Sequence, residues 1–413
     1  VTRLSWSVAP VGVSSIQKRN FINVQIDAVG IGLANAAAPF LPVFLTRLGA
    51  SNFQVGLLTA MPALTGLFFA ILVGRFLQSR RQVVPWFSAA RLAVISCYAL
   101  TGLIVFLVPR EYLVGFILII WAIATLPQTV VAVAFSVVMN AVAGPSHRYE
   151  LMSRRWSILG LTTALTVVIA GLVLDRMNFP FNYQVVFLSL SLGGLISFIF
   201  SNRIVLPDSY VPERQPGLSF SERFGNYRQL VLGQRDFVRF AIQRFVFISG
   251  TSLSLPIFPL YFVREVQASD AWIGIINTSQ TAILLVGYFL WTRGSQLRGS
   301  RFVLLWTTLG LALYPALTAM TLRVELIALY AGLAGIFQAG VDLVFFDELM
   351  KTVPVEYSAT FVSLAQSLQY LSMVVSPLLG TLLAGYIGLS GALFVSAAMR
   401  LTGFALFAGW RGR

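Results

Sequence analysis

Charge is scarce in this chain. Only 11% of its residues are Asp, Glu, Lys or Arg, against about 25% in soluble globular proteins. That is too little polar side chain to cover a water-soluble fold, so much of the surface must meet something other than water. Cysteine is scarcer still. Cys97 stands alone, which excludes a disulfide framework, and it lies in an apolar run where it reads as a small filler. Histidine occurs once, at His147, and no His, Asp and Glu group has metal-ligand spacing. The sequence has no Gly-x-x-x-x-Gly-Lys-Ser/Thr loop for nucleotide phosphates and no Gly-x-Ser-x-Gly nucleophile elbow. These absences argue against an enzyme and against a pump driven directly by ATP, and no cofactor or metal is expected. The first 17 residues lack the basic-then-apolar order of a cleaved signal peptide and read as a tail.

What the chain has is apolar length. Hydrophobic residues make up 57% of it, and they gather in runs that match a hydrocarbon core of ~30 Å, which takes about 20 helical residues to cross. Twelve such runs are predicted, over 21–46, 53–74, 85–108, 113–142, 156–175, 184–206, 237–263, 270–292, 301–321, 326–350, 358–386 and 390–409. Backbone groups cannot go unpaired in lipid, so a spanning segment is a helix or part of a closed barrel. Runs this long without polar alternation exclude the barrel.

The net charge of +14 raises the possibility of a nucleic-acid partner, but its placement argues against one. With both termini on the cytoplasmic side, the outer loops hold only Arg47, Arg110, Arg176, Arg264 and Arg323. The inner side carries Arg75, Arg80, Arg81, Arg148, Arg154, Arg155, Arg293, Arg298, Arg301, Lys351 and most of the rest. This is the positive-inside bias. It predicts a multi-pass protein of the plasma (inner) membrane with cytoplasmic ends, whose partner is the bilayer.

The chain also repeats itself. "PFLPVFLTRLGASNFQVGLL" (39–58) returns as "PIFPLYFVREVQASDAWIGII" (256–276), with paired prolines, an aromatic three residues before an arginine, and an Ala-Ser pair. Further on, "LPQTVVAVAF" (126–135) returns as "IFQAGVDLVF" (336–345), aligning Gln128 with Gln338 and Phe135 with Phe345. Two echoes in the same order indicate a duplication of six helices. The expected organisation is a six-helix bundle over 1–206, a cytoplasmic linker over 207–236 and a second six-helix bundle over 237–413. The linker is the most polar stretch. Its later part reads either as a solvated connection or as a short basic amphipathic helix on the membrane surface.

Six plus six helices in parallel repeats, with a long polar centre, resemble the major facilitator superfamily over essentially the whole chain. That family's mark after the second helix runs roughly Gly-x-x-x-Asp-Arg-x-Gly-Arg-Arg. Here the loop reads "GRFLQSRR" (74–81), in which Arg75, Arg80 and Arg81 fit, while Gly74 stands where the acid belongs. The equivalent loop "TRGSQLRGSR" (292–301) also lacks the acid. The resemblance implies an all-α membrane fold of twelve transmembrane helices in two pseudo-symmetric bundles. It further implies a solute site near the midplane between the halves, lined mainly by spans one, four, seven and ten, in a protein that is ordinarily a monomer.

Polar residues on those spans, and on span eight among the contributing spans two, five, eight and eleven, are the candidates for substrate binding: Asn23 and Asp27 in span one, Gln128 in span four, Arg244 in span seven, Asn277 and Gln280 in span eight, and Gln338 in span ten. In span one, Asn23, Asp27, Gly30, Ala34 and Ala38 form a single polar-to-small face. Asp27, Arg244, Asp342 and Arg400 each lie well inside a predicted span. Each costs about 2.5–3.5 kcal/mol there even on the gentler insertion scale, so each is expected to pair, titrate or face the interior. Asp27 and Arg244 lie at equivalent positions of the repeat. Either they face one cavity and couple by charge, or each pairs within its own half. A carboxylate in a low-dielectric cavity costs less when neutral, so Asp342, and with it Asp27, are the proton-coupling candidates. Hydrogen bonding beside Gln338 is the structural alternative for Asp342. The function expected is secondary active transport of a small molecule by alternating access, proton-coupled, as an antiporter exporting an amphipathic compound. Import of a sugar or organic anion, and a non-transporting role as receptor, assembly factor or lipid handler, are the alternatives.

Overall fold

The computed structural model describes residues 13–206, 233–352 and 358–409. Among them there is no strand. Eleven helical stretches are long and apolar enough to cross a membrane. The last, Leu364–Ala408, has 45 residues, about 68 Å at 1.5 Å per residue and so roughly twice a bilayer core. Its backbone turns at Gly388, with φ 77° and ψ 168°, a conformation that glycine tolerates. Dividing the stretch there gives the twelve spans of an all-α, multi-pass membrane protein. Large apolar side chains such as Phe68, Leu107, Ile123, Leu161, Phe289 and Leu297 are exposed, as a lipid-facing surface requires.

The chain divides into two compact units, one of residues 13–44 and 68–206, the other of 45–67 with 233–352 and 358–409. The helices of the first half are α1 (Ser15–Asn35), α2 (Phe40–Arg47), α3 (Asn52–Gln78), α4 (Val84–Leu107), α5 (Leu113–Arg176) and α6 (Phe181–Asn202). Those of the second are α7 (Arg235–Ser254), α8 (Ile257–Arg264), α9 (Asp270–Arg298), α10 (Ser300–Ala319), α11 (Val324–Thr352) and α12 (Ser358–Ala408). α5 holds the fourth and fifth spans, and α12 the eleventh and twelfth. α7 begins inside the stretch expected to be linker, and the amphipathic helix considered for residues 207–232 lies outside the described residues.

The duplicated phrase has a local structural meaning. Proline has no N–H to give to the carbonyl four residues back. Accordingly α1 stops at Asn35 ahead of Pro39, and α7 stops at Ser254 ahead of Pro256. In both copies an eight-residue helix follows, α2 or α8, ending on an arginine. The Ala-Ser pair then starts the next helix. Ser51 Oγ accepts from the Gln54 amide (3.2 Å) while Gln54 Oε1 accepts from the Ser51 amide (2.8 Å), a reciprocal cap. Ser269 Oγ accepts from the Trp272 amide (3.4 Å).

Within the second unit the two copies also hold each other. Arg47 donates to the Ala268 carbonyl (3.1 Å) and twice to Asp270 Oδ1 (3.0 and 2.9 Å). Arg264 donates to the Ala50 carbonyl (2.5 Å) and to Asn52 Oδ1 (2.5 Å). The arginine of each copy thus grips the Ala-Ser-Asx helix start of the other. The repeat is kept at both ends because each copy supplies a donor and an acceptor to the same reciprocal clasp.

Candidate functional site

The second unit contains a cavity of about 480 Å³ walled by α7, α10, α11 and α12. Three of the residues expected at a solute site line it together: Arg244, Gln338 and Asp342. Thr251 and Ser252 from α7, and Gln366 and Gln369 from α12, add hydroxyl and amide groups. The apolar wall includes Phe247, Phe345 and Met373. Phe247 and Phe345 meet edge to face at 5.7 Å, and Phe345 contacts Phe407 at 5.6 Å, so that wall is tied into the aromatic core of the unit.

The two charges of the cavity are held differently. Asp342 Oδ1 accepts from Gln338 Nε2 (2.7 Å) and Oδ2 from the Tyr288 hydroxyl (3.1 Å), so both oxygens have a neutral donor. Arg244 donates to Gln369 Oε1 (2.8 Å) and lies 5.8 Å from the Phe345 ring. Its Nε is buried without a hydrogen-bond partner. Among the described residues Arg244 has no carboxylate partner. Behind the wall, Arg400 is 2% exposed and donates to the Leu311 carbonyl (3.0 Å) and Ser254 Oγ (2.6 Å). Pro315 explains the first of these bonds. It lies four residues after Leu311 in α10 and has no N–H for that carbonyl, so Arg400 replaces the missing donor. An acidic partner for Arg400 is absent among the described residues, and neutral acceptors serve instead.

Asp27 adopts the within-unit arrangement. Its Oδ1 accepts from Arg91 and from Ser197 Oγ (2.6 Å), and Arg155 Nη2 lies 3.7 Å from Oδ2. The three side chains are 0%, 4% and 3% exposed. Arg91 and Arg155 also lie over the Phe87 and Phe135 rings, at 4.0 and 4.7 Å. Thus the span-one face, expected to line a solute path, is turned into the first unit. Asn23, Asp27, Gly30 and Ala34 are all buried. Gly30 and Gly193 make this possible. A Cβ on Gly193 would come within 2.5 Å of the Gly30 carbonyl oxygen, so α1 and α6 touch backbone to backbone, as small residues permit between membrane helices. Asn23 donates to the Arg203 carbonyl at the end of α6 (3.1 Å).

The remaining candidates do not join the cavity. Asn277 donates to the Ile273 carbonyl one turn back (2.9 Å). Gln280 lies where α9 presses on α11, its carbonyl within 2.2 Å of a Cβ built on Gly335. Gln128 is half-buried on α5. At the end of α11, beyond its span, Lys351 bonds Asp347 (2.6 Å) and Glu348 (3.0 Å). Burial works to lower the Lys351 ammonium, but the two carboxylates outweigh it and hold the group above its ordinary value.

Solved structures with the same fold were found over nearly the whole chain. A bacterial homologue of the iron transporter ferroportin in an inward-facing state superimposes with a TM-score of 0.71 at 14% identity, covering 96% of this chain and 99% of that one. The fold is that of the major facilitator superfamily. A bacterial homologue of the human lysosomal transporter Spinster gives 0.70 at 13% identity, covering 96% and 97%. The nucleoside transporter NupG gives 0.69 at 12% identity, covering 97% and 100%. No family model and no curated protein matches the sequence.

Within this major facilitator fold, several residues at the charged sites were not singled out from sequence. Arg91 lies inside the third predicted span, and its intramembrane charge was the available signal. Arg155 was counted with the inner loop charges, whereas it is buried with Asp27. Gln366 and Gln369 are three apart in a span with no other amide or charge, the spacing of one helix face, and that amide pair was the signal for α12.

Proposed function

We propose that the protein is a secondary transporter that carries a small amphipathic molecule across the membrane by alternating access. The solute is held at the cavity of α7, α10, α11 and α12, and transport is coupled to protons at Asp342. The observation that carries this reading is a lipid-embedded unit enclosing a cavity of about 480 Å³ in which a guanidinium and a carboxylate stand without pairing to each other. Pockets of ~300–1,000 Å³ with a few convergent polar groups are the usual size and chemistry of small-molecule sites. Intramembrane ionisable groups that face a cavity ordinarily serve transport. The solved structures of this fold include a nucleoside transporter and bacterial homologues of the iron transporter ferroportin and of the lysosomal transporter Spinster, which supports the general class. Asp342 is exposed and bonded only by neutral donors, so it can take up and release a proton. Asp27, enclosed by two guanidinium groups, is assigned to structure. The excess of inner arginines supports cytoplasmic termini.

Proteoliposomes bathed in a candidate panel test the reading. In proton antiport, solute accumulates in vesicles whose lumen is more acidic than the bath, and a protonophore abolishes the accumulation. Asp342→Asn is expected to leave downhill exchange but remove the response to the pH gradient. Retention of the full response in Asp342→Asn would overturn the proton role. Failure of folded protein to move any member of the panel would favour a non-transporting role.

A further inference from the structure

Resting on the transport reading, we infer that the solute carries an anionic head group (a carboxylate, sulfonate or phosphate monoester) on an apolar body, and that Arg244 is the residue that receives it. The argument begins with which charges are free. The carboxylate of Asp342 already accepts one hydrogen bond on each oxygen, from Gln338 and Tyr288. Asp27 is sealed against Arg91 and Arg155. Under the transport reading Asp342 is given to the coupling proton, and Asp27 is enclosed by guanidinium groups in the other unit, so neither acid is left for a cationic ligand. Arg244 has the opposite status. It has one neutral partner, Gln369, and a buried Nε with none, while a guanidinium offers five donors suited to a two-oxygen anion.

The surroundings reinforce the sign. Leu311 lines the cavity, and its carbonyl is held by the buried guanidinium of Arg400, so a second cation stands directly behind the wall. Against these two positive groups the lining presents one described carboxylate, Asp342. A half-buried cation without a counterion is poorly compensated, and an incoming anion would relieve that cost. Gln366 and Gln369 stand beside Arg244 to supply amide donors to the same head group. The apolar part of the wall, with Phe247, Ile248, Phe345 and Met373, gives no hydrogen bonds and fits an apolar or aromatic body.

The test uses the full chain in nanodiscs of uncharged phosphatidylcholine, so that the lipid surface does not bias the result. Three probes share one body and differ in head charge: 2-naphthoate, 2-naphthalenemethanol and 2-naphthylmethylammonium. Binding is measured by isothermal titration. Naphthoate is expected to bind at least about tenfold more tightly than the alcohol, the scale of a charge-assisted hydrogen bond, and the ammonium more weakly than either. Arg244→Gln is expected to remove the anion's advantage, and Arg244→Lys, which keeps the charge without the fork, to restore part of it. Equal binding of the three, preference for the ammonium, or binding of none overturns the inference, and these wild-type outcomes hold whether or not the variants fold. Flux of naphthoate in proteoliposomes separates the two readings. Anion-selective binding without flux counts against transport and leaves the inference standing, whereas flux without anion selectivity does the reverse.

Discussion

The duplicated helices place Asp27 and Arg244 at equivalent positions, yet the two sites have opposite characters. Asp27 sits in a buried cluster with Arg91, Arg155 and Ser197, beside the contact of α1 with α6; its Oδ2 and the Nε of both arginines have no hydrogen-bond partner, but its charge is matched. Arg244 sits at the edge of a cavity with an amide partner and an unused donor. Duplication supplied two copies of one scaffold. Substitution then made one copy a charged tie between helices and left the other a charge in search of a ligand. Position in the repeat did not decide which copy does which. The neighbours decided it: arginines on α4 and α5 in one case, glutamines on α12 in the other.

Removing a partner from the closed cluster should have the largest effect. Asp27→Ala leaves two buried guanidinium groups without their acid, and such a loss costs about 3–5 kcal/mol. Denaturant titration of the purified protein in mixed micelles should show it, and a loss below about 1 kcal/mol would mean that the cluster is not a structural tie. Next comes the seal itself. Gly193→Ala places a methyl group against the Gly30 carbonyl and is expected to cost about 1–3 kcal/mol by overpacking, measured in the same titration. An unchanged midpoint would show that α1 and α6 can separate at little cost. The smallest effect on stability is expected at the open site. Arg244→Gln should change the unfolding free energy by less than about 1 kcal/mol, the ordinary net worth of a single hydrogen bond. A cost as large as that of Asp27→Ala would erase the distinction between the two sites.

The sequence makes the scaffold far more legible than the site. Apolar length alone gives the spans, because a bilayer demands long unbroken runs. The repeated prolines and Ala-Ser pairs mark the duplication, and the structure gives them their local meaning as matching helix breaks and caps. Arg244, Gln338 and Asp342 were found because a polar group inside lipid needs a reason to be there. The face of α1 was less legible. Asn23, Asp27, Gly30 and Ala34 make one stripe, but small residues serve both close helix packing and an open lining, and the stripe itself does not say which. The Gly193-Gly194 pair on α6 was the missing half of that pattern. Arg155 was obscured by position. It is the second residue of the fifth candidate stretch, after Arg154, where a charge reads as solvated, and only packing reveals that it turns inward. Arg400 was legible as a buried charge but not in its task, since its partner is a carbonyl freed by a proline on another helix.

Water access tests the central contrast most directly. In a Cys97→Ala background, Gln366→Cys places a thiol on the cavity wall of the second unit, and Ser197→Cys places one in the closed cluster of the first. Both are exposed to a charged, water-soluble thiol reagent in nanodiscs, where either membrane face can be reached, and labelling is followed by mass spectrometry. The account predicts rapid modification at position 366 and none at position 197 until the protein is denatured. Protection of position 366 together with rapid labelling at position 197 would contradict it.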